Sequence, residues 1–192
     1  MTASGSKPLQ TVGFLTVRET EEHGYLGGYL VLNPAGRPLE FHCTVPVIPN
    51  RAQEILYGPT LKPFIYGEQI GQTLVNKANS KPAFVCVDVE AALTLSDHTS
   101  CPVLLVSPNS TNQTPNSYRH DSAHDAPPTS HTNFATFAMG NNRVSLPAER
   151  GDDRETVTRR WQALTTELDL WEPFGRIHEA IGEAQRGATP RG

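Results

Sequence analysis

Two short apolar runs constrain this chain more than anything else in it. Ala83-Phe84-Val85-Cys86-Val87 closes on Asp88, a helix-like segment follows, and Pro102-Val103-Leu104-Leu105-Val106 ends the stretch. Neither run alternates with polar residues, so each reads as a strand covered on both faces, the condition of parallel strands inside an α/β domain. Strand, helix and strand make one βαβ unit, and Asp88 becomes a carboxylate at the C-terminal edge of a buried strand. Asp88 also precedes an apolar run at 88–95. The spacing predicts that its side chain caps that helix, a use of Asp that competes with service as a metal ligand or general base.

Upstream, positions 12–17 give a first strand and positions 25–33 a second. Gly27-Gly28 lies inside the second, where paired glycines mark a bulge or a close backbone approach. Pro34-Ala35-Gly36-Arg37 is a turn, and Pro38-Leu39-Glu40-Phe41-His42-Cys43-Thr44-Val45 alternates as a half-buried antiparallel strand does. The three strands form a meander. Asn50, with Gln53 three positions on, is set as a capping box for a helix at 51–57 that stops at Gly58. A longer helix from Pro63 carries Tyr66, Ile70, Leu74 and Ala78 on one stripe, and Gly67 and Gly71 beside it predict close packing on the sheet.

From 107 to 150, Ser, Thr, Asn, Pro and His replace the aliphatic residues, and the composition predicts a disordered linker. Beyond it, Val157, Trp161, Leu164, Leu168 and Trp171 form an apolar seam. Pro173 imposes a break after Glu172, and Phe174, Ile177, Ile181 and Ala184 form a second stripe. Such stripes either cover an open sheet face or offer an amphipathic surface to a protein partner. The organisation expected is a disordered leader at 1–11 and an α/β domain at 12–106, with a mixed sheet of about five strands in the order βββαβαβ. A linker at 107–150, C-terminal helices at 151–187 and a tail at 188–192 follow.

Charge and composition narrow the function classes. A net charge of −4, without long runs of either sign, does not support general nucleic-acid binding. No run is long enough to span a bilayer and positions 1–10 lack a signal-peptide core, so a soluble cytoplasmic protein is expected. Cys43, Cys86 and Cys101 are an odd count without close pairing, which predicts reduced, buried thiols. With His42 and His98 these cysteines lack the short paired spacing of a zinc site. In the linker, His120, Asp121, His124 and Asp125 read as a solvated tether. A nucleophile elbow, a Walker loop and a dinucleotide fingerprint are all missing from the sequence.

The order of elements is similar to that of the ribonuclease H-like fold, and the likeness reaches two short motifs within 12–106. Asn50-Arg51-Ala52-Gln53-Glu54 resembles the Asn-Arg-Ala-Glu type stretch that opens that family's first helix. Val85-Cys86-Val87-Asp88 resembles its fourth strand, which ends in a catalytic Asp. The resemblance implies a nuclease using Mg²⁺ or Mn²⁺, with Asp88, Glu19 and Glu54 as carboxylates and a C-terminal acid such as Glu155 completing them. Two departures weigh against it. The family's central carboxylate lies within the first strand, whereas Phe14-Leu15-Thr16-Val17-Arg18 offers none before Glu19. Gln53 stands where the helix would carry glutamate, and Glu54, one step on, is turned by about 100°. A two-metal site needs several oxygens converging on ions about 4 Å apart. The expectation is therefore a non-catalytic interaction or scaffold module of ribonuclease H-like shape. It needs no cofactor and meets a protein partner through its C-terminal amphipathic helices, with the metal-dependent nuclease as the alternative.

Overall fold

Strands buried on both faces, with helices on either side, set the architecture. The computed structural model describes residues 10–20, 24–108, 133–164 and 168–188. Among them seven strands form one mixed sheet in the order β3-β2-β1-β4-β5-β7-β6. β1 (Val12–Thr20), β2 (Gly24–Leu32) and β3 (Pro38–Cys43) form the antiparallel meander. β4 (Val85–Val87) and β5 (Val103–Ser107) run parallel to β1, and this middle of the sheet is covered from both sides. β6 (Phe134–Met139) and β7 (Asn142–Pro147) form a hairpin that joins β5 antiparallel through β7.

Two helical layers cover the sheet. On one face lie α2 (residues 61–77), whose Phe64–Gln72 portion is wound as a π-helix, and the 3₁₀ helix Glu90–Asp97. Ile65, Tyr66, Ile70 and Leu74 pack there with Leu15, Val17, Val85 and Val87. α3 (Asp153–Leu164) and α4 (Glu172–Ala188) cover the other face, where Val157, Phe174, Ile177 and Ile181 meet Phe14, Cys86 and Leu104. The paired glycines serve this sandwich. Successive strand residues point to opposite faces, so a Cβ on Gly27 would strike Ile70 of α2 and one on Gly28 would strike Ile177 of α4. Each glycine admits one helix layer.

The capping box of α1 (Arg51–Tyr57) forms as expected: Asn50 accepts from the Gln53 N–H, and Gln53 accepts from the Asn50 N–H. The helix ends at Gly58, with φ of 50°. Gly67 and Gly71 allow α2 to close on Thr94 of the 3₁₀ helix and on Leu15 of β1.

Several expectations are corrected. The sheet has seven strands rather than five, and its extra hairpin lies at 134–147, inside the stretch expected to be a linker. Met139 pairs with Asn142, leaving Gly140-Asn141 as a two-residue loop with Gly140 at φ 58°. That is a tight hairpin signal embedded in a polar composition. The rest of the linker at 109–132, with His120 and His124, lies outside the described residues, as do 1–9 of the leader and 189–192 of the tail. α3 ends at Leu164, so Leu168 and Trp171 follow it rather than belong to it. Pro173 does not break a helix. It sits in the first turn of α4, where its missing N–H costs no hydrogen bond. Asp169 Oδ1 accepts from the Trp171 N–H at 2.8 Å and holds that start in place. The C-terminal stripes are spent on the open sheet face. Among the described residues no helix is long and apolar enough to cross a membrane.

Candidate functional site

The pleat brings Asp88 to the α4 face. β1 and β4 pair in parallel with Phe14 beside Cys86, and both of these residues belong to the α4-side core. Two residues further along each strand, Thr16 and Asp88 point the same way. Thr16 Oγ1 donates to Asp88 Oδ2 at 2.8 Å. α4 supplies the third member. Its Phe174 meets Phe14 edge to face at 5.8 Å between ring centres, and Ile177 seats over Gly28. His178, next in sequence, then brings Nε2 to 3.5 Å from Asp88 Oδ2 and 3.3 Å from Thr16 Oγ1.

The cluster is sealed. The side chains of Asp88 and His178 are 2% and 11% exposed, and Thr16 is fully buried. A carboxylate in such a place needs hydrogen-bond donors, because desolvation without them is costly. Here β1 and α4 provide a hydroxyl and an imidazole. The arrangement clasps strand, strand and helix together across chain separations of 72 and 162 residues.

Helix capping, expected of Asp88, does not occur. The 3₁₀ helix has Val89 at its N-cap position with no side-chain cap hydrogen bond. The reason is geometric: by continuing the pleat of β4, Asp88 turns toward Thr16 and α4, whereas the 3₁₀ helix packs on the other face.

Glu19 and Glu54 do not join Asp88. Glu19 lies directly opposite Tyr25 in the β1–β2 ladder, accepts from the Tyr25 hydroxyl at 3.2 Å, and pairs with Lys62 at 2.7 Å. Tyr25 belongs to the α2-side core, so this carboxylate serves the opposite layer. Burial, and next the charge on Glu19, push the Tyr25 phenol up to about 12. Glu54 pairs with Arg51 within α1 at 3.0 Å, and Glu155 is exposed on α3. Among the described residues no three His, Cys, Asp or Glu side chains gather as metal ligands would. One carboxylate flanked by a hydroxyl and an imidazole does not fit the oxygen-rich cradle that a pair of Mg²⁺ or Mn²⁺ ions requires.

All three cysteines are free thiols, but only Cys86 is buried: Cys43 is exposed and Cys101 half-buried. Burial raises the Cys86 thiol well above its usual range and Cys101 to about 11, which disfavours the thiolate form of both. A second polar cluster lies on β3. Glu40 accepts from the N–H groups of Asn79 at 2.9 Å and Ser80 at 2.6 Å, from the Ser80 hydroxyl, and pairs with His42 Nε2 at 3.1 Å. The Ser80 hydroxyl foremost, then the Asn79 N–H and His42, hold its carboxyl down at about 2.

Thr16 and His178 are the partners that residue type alone does not single out. The available signal was parity: Thr16 shares the face of Phe14, and His178 borders the Ile177 and Ile181 stripe. Comparison with protein-family models, with curated proteins and with solved structures finds no match for this chain.

Proposed function

We propose that this chain is a non-catalytic interaction or scaffold module of ribonuclease H-like shape, acting in the cytoplasm without a cofactor. One observation carries the reading: the groups beside Asp88 are donors, Thr16 and His178, where metal-dependent hydrolysis needs further carboxylates. In the family that the sequence resembles, the central carboxylate belongs to the first strand. On this first strand the residue that meets Asp88 is Thr16. The element order of the meander, helices, β4 and β5 supports the likeness of shape.

The interaction half of the reading rests on exposed apolar surface. Sequence alone put the partner surface on the C-terminal helices, but their stripes serve the core. We assign it instead to the β3 edge and the arm that follows, where Val45 is 79% exposed, Ile48 70%, Ile55 65% and Leu56 81%. Single exposed apolar residues need no explanation, whereas here the six large ones exposed among the described residues all fall within positions 39–56.

The test is hydrolysis. The full chain, incubated with single-stranded, duplex and hybrid nucleic acids in Mg²⁺ or Mn²⁺, is expected to release no product above the metal-only control. Cleavage that Asp88→Asn abolishes while the circular dichroism spectrum is unchanged would establish the nuclease and overturn this reading.

A further inference from the structure

We propose that β3 is a two-fold interface through which two copies of this chain join their sheets edge to edge. This deepens the interaction reading and rests on it, yet the two fail separately: nucleic-acid hydrolysis overturns the first and a monomeric mass overturns the second.

β3 ends the sheet, and among the described residues no strand pairs with its outer side. Its inner side is fixed by the Thr44 N–H, which donates to the Gly27 carbonyl at 3.0 Å. Over the regular part of the ladder, residues alternate, so Glu40 and His42 turn their backbone groups toward β2 and Phe41 and Cys43 turn theirs outward, while a register shift opposite Val31 and Leu32 leaves Leu39 at an irregularity. The Phe41 and Cys43 side chains are exposed on one face, and Pro38 and Leu39 are exposed at the irregularity.

A two-fold axis through Phe41 satisfies all of this at once. Phe41 faces Phe41 of the copy and that pair exchanges backbone hydrogen bonds, while the exposed Leu39, at the irregularity, comes beside Cys43 of the copy and widens the apolar stripe. On the other face Glu40 falls opposite His42 of the copy, an acid against an imidazole. A register shifted by one residue would set a backbone already turned inward against one turned outward. Glu40 keeps its donors from Asn79 and Ser80 and gains a second imidazole neighbour.

Six paired residues alone bury less than the roughly 1,200–2,000 Å² of a stable complex. The arm adds the exposed Val45, Ile48, Ile55 and Leu56 to them. Beyond β3 the chain stays on the same edge of the sheet, where Val47 bridges Tyr25, and it leads directly into α1. Among the described residues the opposite edge differs: on β6, Met139 is buried and the Arg154 guanidinium lies 5.1 Å over the Phe137 ring.

Sedimentation equilibrium of the full chain over micromolar concentrations is expected to give twice the monomer mass of 21.0 kDa. Phe41→Lys opposes two like charges and is expected to weaken association by about a hundredfold with an unchanged circular dichroism spectrum. Leu39→Cys tests the register without relying on that variant: on oxidation it forms a disulfide-linked dimer with the native Cys43 of the copy, and adding Cys43→Ser abolishes the link. A monomer throughout the range overturns the proposal. So does a dimer that Phe41→Lys leaves intact, or one that cross-links equally well without Cys43.

Discussion

The Asp88 cluster and the β3 edge are opposite departures from the rule that apolar groups are inside and polar groups outside. At the first, a carboxylate, a hydroxyl and an imidazole are sealed between sheet and helix. At the second, Leu39, Phe41 and the residues of the following arm stand in water. The difference lies in where the compensation is found. At the cluster, Asp88 Oδ2 meets the Thr16 hydroxyl and the His178 imidazole within the chain. The exposed apolar groups of the edge meet no strand among the described residues, and the proposed partner is what would cover them.

Removing the carboxylate tests the inner half of that contrast most strongly. Asp88→Ala leaves the Thr16 hydroxyl and His178 without their shared acceptor, and a hydrogen bond to a charged group contributes roughly 1.5–3 kcal/mol. Urea denaturation is expected to report a loss of about 2–3 kcal/mol. A loss under about 0.5 kcal/mol would mean that the clasp contributes nothing to the fold. Thr16→Val keeps the shape and the strand preference while deleting one donor, and is expected to cost about 1 kcal/mol. If the valine variant cost more than the alanine at Asp88, packing at Thr16 rather than its hydroxyl would be what matters.

How much of this was legible beforehand follows from the range of each signal. Local signals read well: the capping box at Asn50, the stop at Gly58 and the Tyr66, Ile70 and Leu74 stripe depend on neighbours a few residues away, and all appear in the fold. Fully apolar runs read equally well, because Val85-Cys86-Val87 leaves no other place than the middle of the sheet. The hairpin of β6 and β7 was hidden because an edge strand needs only half its residues apolar, and Ser and Asn around it resemble a linker. Thr16 and His178 were hidden for another reason. Their roles depend on contacts with residues 72 and 162 positions away, which neither periodicity nor composition encodes. Asp88 was found by its place at a strand end, but its neighbours, and hence its use, required the register of β1 against β4.

The smallest effect belongs to the polar face of the exposed strand, and it sharpens the contrast because it responds to pH. The Glu40 carboxyl is held at about 2, below its ordinary 4.5. Above pH 4.5 it is ionised whether the chain is folded or not, and its hydrogen bonds from Ser80 and Asn79 stabilise the fold in full. As pH falls below 4.5 the unfolded chain takes up the proton first, so that stabilisation declines and is gone once pH reaches about 2. Glu40→Gln cannot take up this proton. The stability difference between wild type and variant, measured by urea titration in the Phe41→Lys background so that association does not contribute, is therefore expected to shrink steadily from pH 5 to pH 2. Two curves that stay parallel over that interval would show that the donors on the 78–80 turn do not distinguish the charged carboxylate from a neutral amide. β3 would then be anchored by its ladder with β2 alone, as an edge free to slide rather than one held in register for a partner.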